Sequence, residues 1–376
     1  MVDDSEGGPM NIGVAKERAA GERRVALGPE STAKLVKAGA QVLVERGAGS
    51  AAGFPDAVFE KAGASLVDDA GSLYAKSTIV LRVQPPTIDE VALLPEGSVL
   101  ISSMPAATSS DLVKALAARR ITAFALEKVP RITRAQSMDM LSSQSTVSGY
   151  KAVLIGAAAL PKFLPSLTTA AGSIPPARVF VLGAGVAGLQ AIATARRLGA
   201  IVSAFDVRAA AAEQVMSLGA TFVASDLVAA DAETKGGYAR AQGEEERERT
   251  LAAIGRHIVD QDLVITTALI PGRAAPVLIT KAMVESMRPG SVIVDLAAEA
   301  GGNCELTKPN ETIQVNGVTI IGAVNLPATV PFHASQMLSR NVLTLLQHLI
   351  KDNTLTIDLN DEITKAMVVT HEGVVV

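Results

Sequence analysis

The chain has 376 residues and a formal net charge of −4; 48% of its residues are hydrophobic, 19% are charged and none is tryptophan. At about 150 residues per domain that is enough for two cored domains or three, and the charge content is too low for a disordered chain. The acidic balance leaves no electrostatic footprint for DNA or an anionic membrane, 3% aromatics argue against stacking platforms for single strands, and one cysteine, Cys304, excludes an internal disulfide and fits a reducing compartment.

A mean hydropathy of +0.32 raises the question of a membrane span. The best apolar stretch, Val153 to Leu164, is interrupted by Pro161 and Lys162, short of the ~20 residues a spanning helix needs. The start, Met1-Val2-Asp3-Asp4-Ser5-Glu6, is acidic where a secretory signal is basic. A soluble chain is expected.

From Met10 onward strands and helices alternate. Strands are expected at Asn11–Ala15, Gln41–Glu45, Ser77–Val83, Val99–Ser103 and Thr122–Ala125. Between them come helices at Pro29–Ala38, Phe54–Ala62 and Ser110–Ala118. Such repetition implies a parallel sheet covered on both faces. A long helix, Ser137 to Leu160, follows. A second series then begins with strand Arg178–Leu182, helix Gly188–Leu198, strand Ile201–Phe205, helix Ala209–Ser217 and strand Thr221–Val223. It continues with helix Glu246–Val259, strand Leu263–Thr266, helix Thr280–Met287 and strands Ser291–Asp295 and Thr319–Gly322. Another long helix, His333–Leu349, precedes a tail, Leu355–Val376, whose natural place is the first unit. The expected class is α/β: two Rossmann-like, doubly wound parallel-sheet domains joined by two long helices. One comprises residues 10–136 plus 340–376, the other 137–339.

The second series opens with a buried strand, then Gly183-Ala184-Gly185-Val186-Ala187-Gly188, then an apolar helix. In a G-x-G-x-x-G turn the first glycine allows the tight bend, the second lets backbone approach a pyrophosphate, and the third packs helix on strand. The positive end of the helix that follows attracts the diphosphate, with Gly183, Gly185, Val186 and Gly188 as the candidate binding residues. Asp206 ends the next strand roughly 20 residues on, where an acidic side chain receives the adenosine ribose hydroxyls. It would repel the extra phosphate of NADP, which favours NAD; Arg208 nearby could instead accept that phosphate. Thr267-Ala268-Leu269 and Asp295 end later strands at the same edge, where open parallel sheets bind ligands. The threonines could equally serve loop backbone groups.

Arg131 to Gln144 is a polar cluster. With a helix from Gln136, the side chains Gln136, Asp139 and Ser143 share one face and suit an amide-bearing ligand such as a nicotinamide. A solvated, capped first turn is the alternative. Residues 224–243 lack periodicity and centre on Gly236-Gly237-Tyr238, which suits a lid or a loose insertion. His257, His333, His348 and His371 show no metal-ligand spacing, and Cys304 reads as a small buried residue.

Together these segments resemble the NAD(H)-binding component (domain I) of the proton-translocating NAD(P) transhydrogenases, within a family shared with the alanine dehydrogenases. The N-terminal signature is Lys16-Glu17 with Glu22-Arg23-Arg24-Val25-Ala26-Leu27, and the most specific motif runs from Arg134-Ala135-Gln136-Ser137-Met138-Asp139 to Gly149-Tyr150. The glycine turn, Asp206-Val207-Arg208, Gly236-Gly237-Tyr238 and Glu299-Ala300-Gly301-Gly302-Asn303 also match.

The resemblance implies that Arg131, Gln136, Asp139 and Ser142 line the nicotinamide pocket. Asp206, Val207 and Arg208 would hold the adenosine end, and the Gly237-Tyr238 loop would close over the nucleotide. It further implies a homodimer that docks on the NADP(H)-binding domain of a membrane-embedded beta subunit, beside a small membrane subunit. The chain would thus be cytoplasmic and peripheral to the inner face of the membrane, bind NAD(H) but not NADP(H), and pass hydride between nicotinamides coupled to proton translocation. An alanine dehydrogenase is the runner-up. There the resemblance leads one to expect an acid–base Lys before Glu-Pro and a His in the next loop, but this chain has Gln84 before Pro85-Pro86 and no His in Ser102–Ala106. Losing acid–base catalysis costs about 10²–10⁴ in rate, whereas hydride transfer between nucleotides needs positioning alone. A non-catalytic NAD(H) sensor is a third reading.

Overall fold

The computed structural model describes residues 10–105, 109–223, 243–270, 273–351 and 354–376. The chain divides into two compact units, residues 1–144 with 327–376 and residues 145–326. The division after Gln144 falls within a helix, and the whole of the last long helix lies in the first unit.

The first unit alternates strand and helix: β1 (Asn11–Val14), α1 (Pro29–Lys37), β2 (Gln41–Glu45), α2 (Asp56–Lys61), β3 (Ser65–Val67), α3 (Ala70–Lys76) and β4 (Ile79–Leu81). Then come α4 (Ile88–Leu93), β5 (Val99–Ser102), α5 (Ser110–Ala118) and β6 (Thr122–Ala125). These six strands are parallel in the order β3-β2-β1-β4-β5-β6, a doubly wound order with its switch point between β1 and β4. The expected strands are all present. Sequence reading passed over β3, α3 and α4, each too short to show a period.

Helix α6 (Met140–Ala159) ends with a turn into a small antiparallel hairpin, β7 (Leu167–Thr169) and β8 (Gly172–Ile174). The second unit's main sheet is built from β9 (Arg178–Leu182), α7 (Val186–Arg197), β10 (Ile201–Phe205), α8 (Ala209–Ser217) and β11 (Thr221–Phe222). It continues through α9 (Glu244–Ile258), β12 (Leu263–Thr266), α10 (Lys281–Ser286), β13 (Val292–Asp295), β14 (Thr312–Val315) and β15 (Val318–Gly322). The sheet order is β11-β10-β9-β12-β13-β15-β14, parallel except for the edge strand β14. Alternation along each strand feeds two cores. Val179 and Val181 of β9 join Ile192, Leu263 and Ile265 on one face; Phe180 and Leu182 join Ile254, Val264 and Ile293 on the other. Burying each such side chain contributes about 1.5–3 kcal/mol.

The remaining elements, α11 (Pro331–Leu349), β16 (Ile350–Lys351), β17 (Thr354–Leu355), α12 (Glu362–Met367), β18 (Val368–His371) and β19 (Val374–Val375), return to the first unit. There β18 pairs antiparallel with β6 and β19 with β18, extending that sheet to eight strands. Leu338, Val342, Leu345 and Leu346 of α11 enter the core beneath β1, β2 and β4. The tail therefore packs where the sequence places it. Among the described residues no helix is long and apolar enough to cross a membrane.

Candidate functional site

Strand register gathers the first group of residues. Leu182 is level with Phe205 on one side and Thr266 on the other, and Thr266 is level with Asp295. The residues that follow, Gly183, Asp206 and Thr267, therefore emerge together at the carboxyl edge of the second unit's sheet, the edge where such sheets bind ligands.

Gly183 has φ +93°, and a Cβ there would stand 2.7 Å from Thr267 Oγ1. A Cβ on Gly188 would stand 1.8 Å from the Gly183 carbonyl oxygen. Both are glycine because the turn folds back on itself. Gly185 differs: its backbone is extended at φ −77° and ψ −166°, and among the described residues nothing lies within 4 Å of where its Cβ would be. Packing does not require glycine there, but close approach of a ligand would. Val186, at the first position of α7, is half exposed beside it, and like any helix start α7 offers N–H groups without intrahelical acceptors. Behind the turn, a Cβ on Gly149 of α6 would lie 2.1 Å from the Ala187 carbonyl oxygen, so that glycine lets two helices touch.

Asp206 is 7% exposed. It accepts the Ala184 N–H at 2.7 Å and the Arg208 N–H at 2.9 Å. The Arg208 guanidinium forks onto the same carboxylate, Nε to Oδ1 at 2.9 Å and Nη2 to Oδ2 at 2.8 Å. Arg208 is thus turned back onto Asp206. Val207 between them packs against the Phe205 side of the core. Asp206 both ends β10 and pins the glycine turn.

Thr267 serves the same turn. Its hydroxyl donates to the Gly183 carbonyl at 3.0 Å and its N–H to the Leu182 carbonyl at 2.8 Å. Ala268 is clamped by fully buried Asn303, whose Oδ1 accepts the Ala268 N–H at 3.0 Å while Nδ2 donates to the carbonyls of Ala268 at 2.9 Å and Pro276 at 2.8 Å. Leu269 then projects to solvent, 48% exposed. Asp295 is not a ligand group: fully buried, it accepts from Thr266 Oγ1, the Ala297 and Cys304 N–H groups and Thr307 Oγ1 at 2.6–3.0 Å. Sequence reading marked Asp295 as a site residue and missed the clamping role of Asn303; only the Gly301-Gly302-Asn303 match hinted at it. Cys304 is buried, and burial pushes its thiol up to about 11. Gly237 and Tyr238 lie outside the described residues.

The polar cluster belongs to the first unit. Here the structure corrects the expected helical stripe. Residues Thr133–Met138 form a 3₁₀ turn and α6 begins only at Met140. Asp139 sits between them with φ −69° and ψ 90° and caps the helix, accepting the Ser142 N–H at 2.9 Å and the Ser142 hydroxyl at 2.6 Å. Gln136, Asp139 and Ser143 therefore do not share a helix face; Asp139 and Ser142 are instead bonded to each other. Arg131 and Gln136 are exposed.

At the switch point of the first unit, Arg24 forks onto Glu22 through Nε at 2.8 Å and Nη2 at 2.7 Å and reaches Gln144 Oε1 at 2.8 Å. Gln84 Nε2 donates to Glu22 Oε2 at 2.8 Å. Burial alone would raise the Glu22 pKa, but Arg24 and Gln84 outweigh it and hold the carboxyl near 2. Glu17 is the reverse case: burial lifts it to about 7 against the opposing charge of Arg82. Its carboxylate accepts the Val83 N–H at 2.6 Å, and with its side chain 2% exposed it offers no route for a substrate proton. Among the described residues no cluster of three or more His, Cys, Asp or Glu could hold a metal ion.

Residues 13–148 match the alanine dehydrogenase/PNT N-terminal domain and residues 152–376 the corresponding C-terminal domain. The chain belongs to the alanine dehydrogenase/PNT family. Within it, the chain is 50% identical over 375 residues to the NAD(P) transhydrogenase subunit alpha (first part) of Rhodospirillum rubrum, covering 98% of both chains. The crystal structure of a transhydrogenase from Sinorhizobium meliloti is 44% identical, with a TM-score of 0.88 over 97% of this chain and 100% of that one. A solved L-alanine dehydrogenase is 29% identical with a TM-score of 0.82, over 98% and 97%. Both branches of the family thus share this architecture.

Proposed function

We propose that this chain is the NAD(H)-binding component of a proton-translocating NAD(P) transhydrogenase. The observation that carries the reading is the glycine turn, in which Gly183 and Gly188 are closed by packing and Gly185 is left open. That opening fits a dinucleotide. The diphosphate would lie over Gly185 and the start of α7 at Val186, held by backbone N–H groups and the positive end of the helix. Asp206 would receive the adenosine ribose hydroxyls beside Val207 and Arg208, and its negative charge with Arg208 held against it selects NAD(H) over NADP(H). The Thr267–Leu269 turn, held rigid by Asn303, would complete this unit's edge of the dinucleotide site.

The bound coenzyme supplies a carbon that donates or accepts hydride. In this reading the exposed amide of Gln136 and the Asp139–Ser142 pair, with Arg131, orient the nicotinamide through its carboxamide. No substrate proton moves, so positioning is the whole contribution of these side chains, and well-oriented reactants gain several orders of magnitude from it. Alanine oxidation would need an acid–base group and a cation for the substrate carboxylate. Gln84 is not an acid–base group, and Arg24 is engaged by Glu22.

NADP(H) would be carried by the NADP(H)-binding domain of a membrane-embedded beta subunit, accompanied by a small membrane subunit, with this chain a homodimer on the cytoplasmic face. Turnover of NADH with NADP⁺ when the purified chain is added to such a domain is the expected result. NADH formation from L-alanine, or tight NADH binding with neither activity, would select the dehydrogenase or the sensor instead.

A further inference from the structure

We propose that Asn341, on helix α11, is the positioning residue for the Arg131–Ser142 segment and sets the rate of hydride transfer while leaving NAD(H) affinity nearly unchanged; this rests on the reading of Gln136 and Asp139 given above. The segment has little structure of its own. It contains a six-residue 3₁₀ helix, Thr133–Met138, with Ala135 N–H on the Ile132 carbonyl at its start and Asp139 N–H on the Gln136 carbonyl at its end, and 3₁₀ hydrogen bonds have poor geometry. Asn341 spans both sides of Asp139. Its Nδ2 donates to the Ser137 carbonyl at 2.8 Å, and its Oδ1 accepts the Ser143 hydroxyl at 2.7 Å. One buried amide thus ties the turn that carries Gln136 to the first turn of the helix that Asp139 caps.

A tether at the other end supports the same view. Arg134, between Arg131 and Gln136, pairs with Asp361 at 2.9 Å. Asp361 itself is anchored by capping α12 through the Ile363 and Thr364 N–H groups. The side chain of Arg134 is exposed, so solvent screens this pair, and the buried amide is the stronger constraint.

Asn341 works through both a donor and an acceptor, so Asn341→Asp is the informative change. It keeps size and acceptor but sets a carboxylate against the Ser137 carbonyl. The test measures single-turnover hydride transfer and NADH affinity for wild type, Asn341→Asp, Ser339→Ala and Asp139→Asn, each with an NADP(H)-binding partner domain. Ser339 lies on the same helix and is equally buried, but its hydroxyl accepts the Gly28 N–H at 2.8 Å, remote in sequence from the cluster. Asn341→Asp is expected to slow transfer by roughly tenfold to a hundredfold, with NADH affinity within twofold and partial recovery as pH falls and the new carboxyl regains a proton to donate. Ser339→Ala is expected to lower the thermal midpoint and leave the transfer rate intact.

Equal slowing by Ser339→Ala, or the absence of any recovery at low pH, would reduce Asn341 to a structural residue and overturn the inference. Slowing by Asp139→Asn but not by Asn341→Asp would overturn it while sparing the reading of the cluster. No slowing by either would end both.

Discussion

A methyl group added at Gly188 would stand 1.8 Å from the Gly183 carbonyl oxygen, whereas at Gly185 it would meet nothing within 4 Å among the described residues. The two glycines look alike in sequence and are opposite in physics. Gly188→Ala is expected to destabilise the second unit by about 1–3 kcal/mol, the range for overpacking, visible in thermal unfolding without nucleotide. Gly185→Ala should leave that transition within about 0.5 kcal/mol and weaken NADH by about tenfold or more, since the methyl occupies the space assigned to the diphosphate. Equal losses of stability in the two variants would contradict the assignment. Glu17 offers a second residue-scale test. Its folded pKa, about 7, lies above the ordinary 4.5, so between those values the folded state holds a proton the unfolded state has lost. Stability must therefore fall as pH rises from about 4.5 to 7, by up to about 1.4 kcal/mol per unit. Glu22, depressed to about 2, acts in a separate window: its contribution is present above about 4.5 and is lost as pH falls toward 2. Thermal midpoints from pH 5 to 8 should converge on a flatter profile in Glu17→Gln; parallel profiles would show that Glu17 does not titrate there.

At the scale of elements, what was legible followed from local pattern. The glycine turn, Asp206 and the strand ends at Leu182, Phe205 and Thr266 were readable because β-strands of four or five apolar residues bounded by glycine or a charge carry their own signal. The start of α6 was not. Its polar and apolar residues fall on every face, so periodicity could not separate Gln136–Asp139 from the helix, and the 3₁₀ turn with Asp139 as cap emerged only in three dimensions. The clamping role of Asn303 and the whole of Asn341 escaped notice because each acts on backbone far away in sequence. The geometry of the cap yields a prediction. Asp139→Asn keeps an oxygen for the Ser142 N–H and should cost well under 1 kcal/mol of stability, whereas Asp139→Ala should cost about 1 kcal/mol as a lost cap. Both should slow hydride transfer far more than they weaken NADH binding. A rate loss that follows the stability loss across the two variants would make Asp139 a cap and nothing more.

The whole molecule repeats one solution. Each unit has a doubly wound sheet, and the first is completed by a strand from the chain's end, β18 against β6. Composition and alternation made this architecture readable, because parallel sheets covered on both faces demand the Val-, Ile- and Leu-rich strands found here. The same architecture serves transhydrogenases and alanine dehydrogenases, so fold alone does not decide the chemistry. In the proposed reading, Gln84, the Glu22–Arg24 pair and the enclosure of Glu17 weigh against amino-acid oxidation and for transfer between two coenzymes. The most direct measurement follows the hydrogen itself: NADH with both hydrogens of the reactive carbon replaced by deuterium, mixed with this chain and an NADP⁺-loaded partner domain in ordinary water. Direct transfer predicts NADPH that carries one deuterium per molecule, the other remaining on the NAD⁺ formed, with none washed out to solvent. NADPH carrying solvent hydrogen, or NADH consumed only when pyruvate and ammonia are supplied, would contradict it.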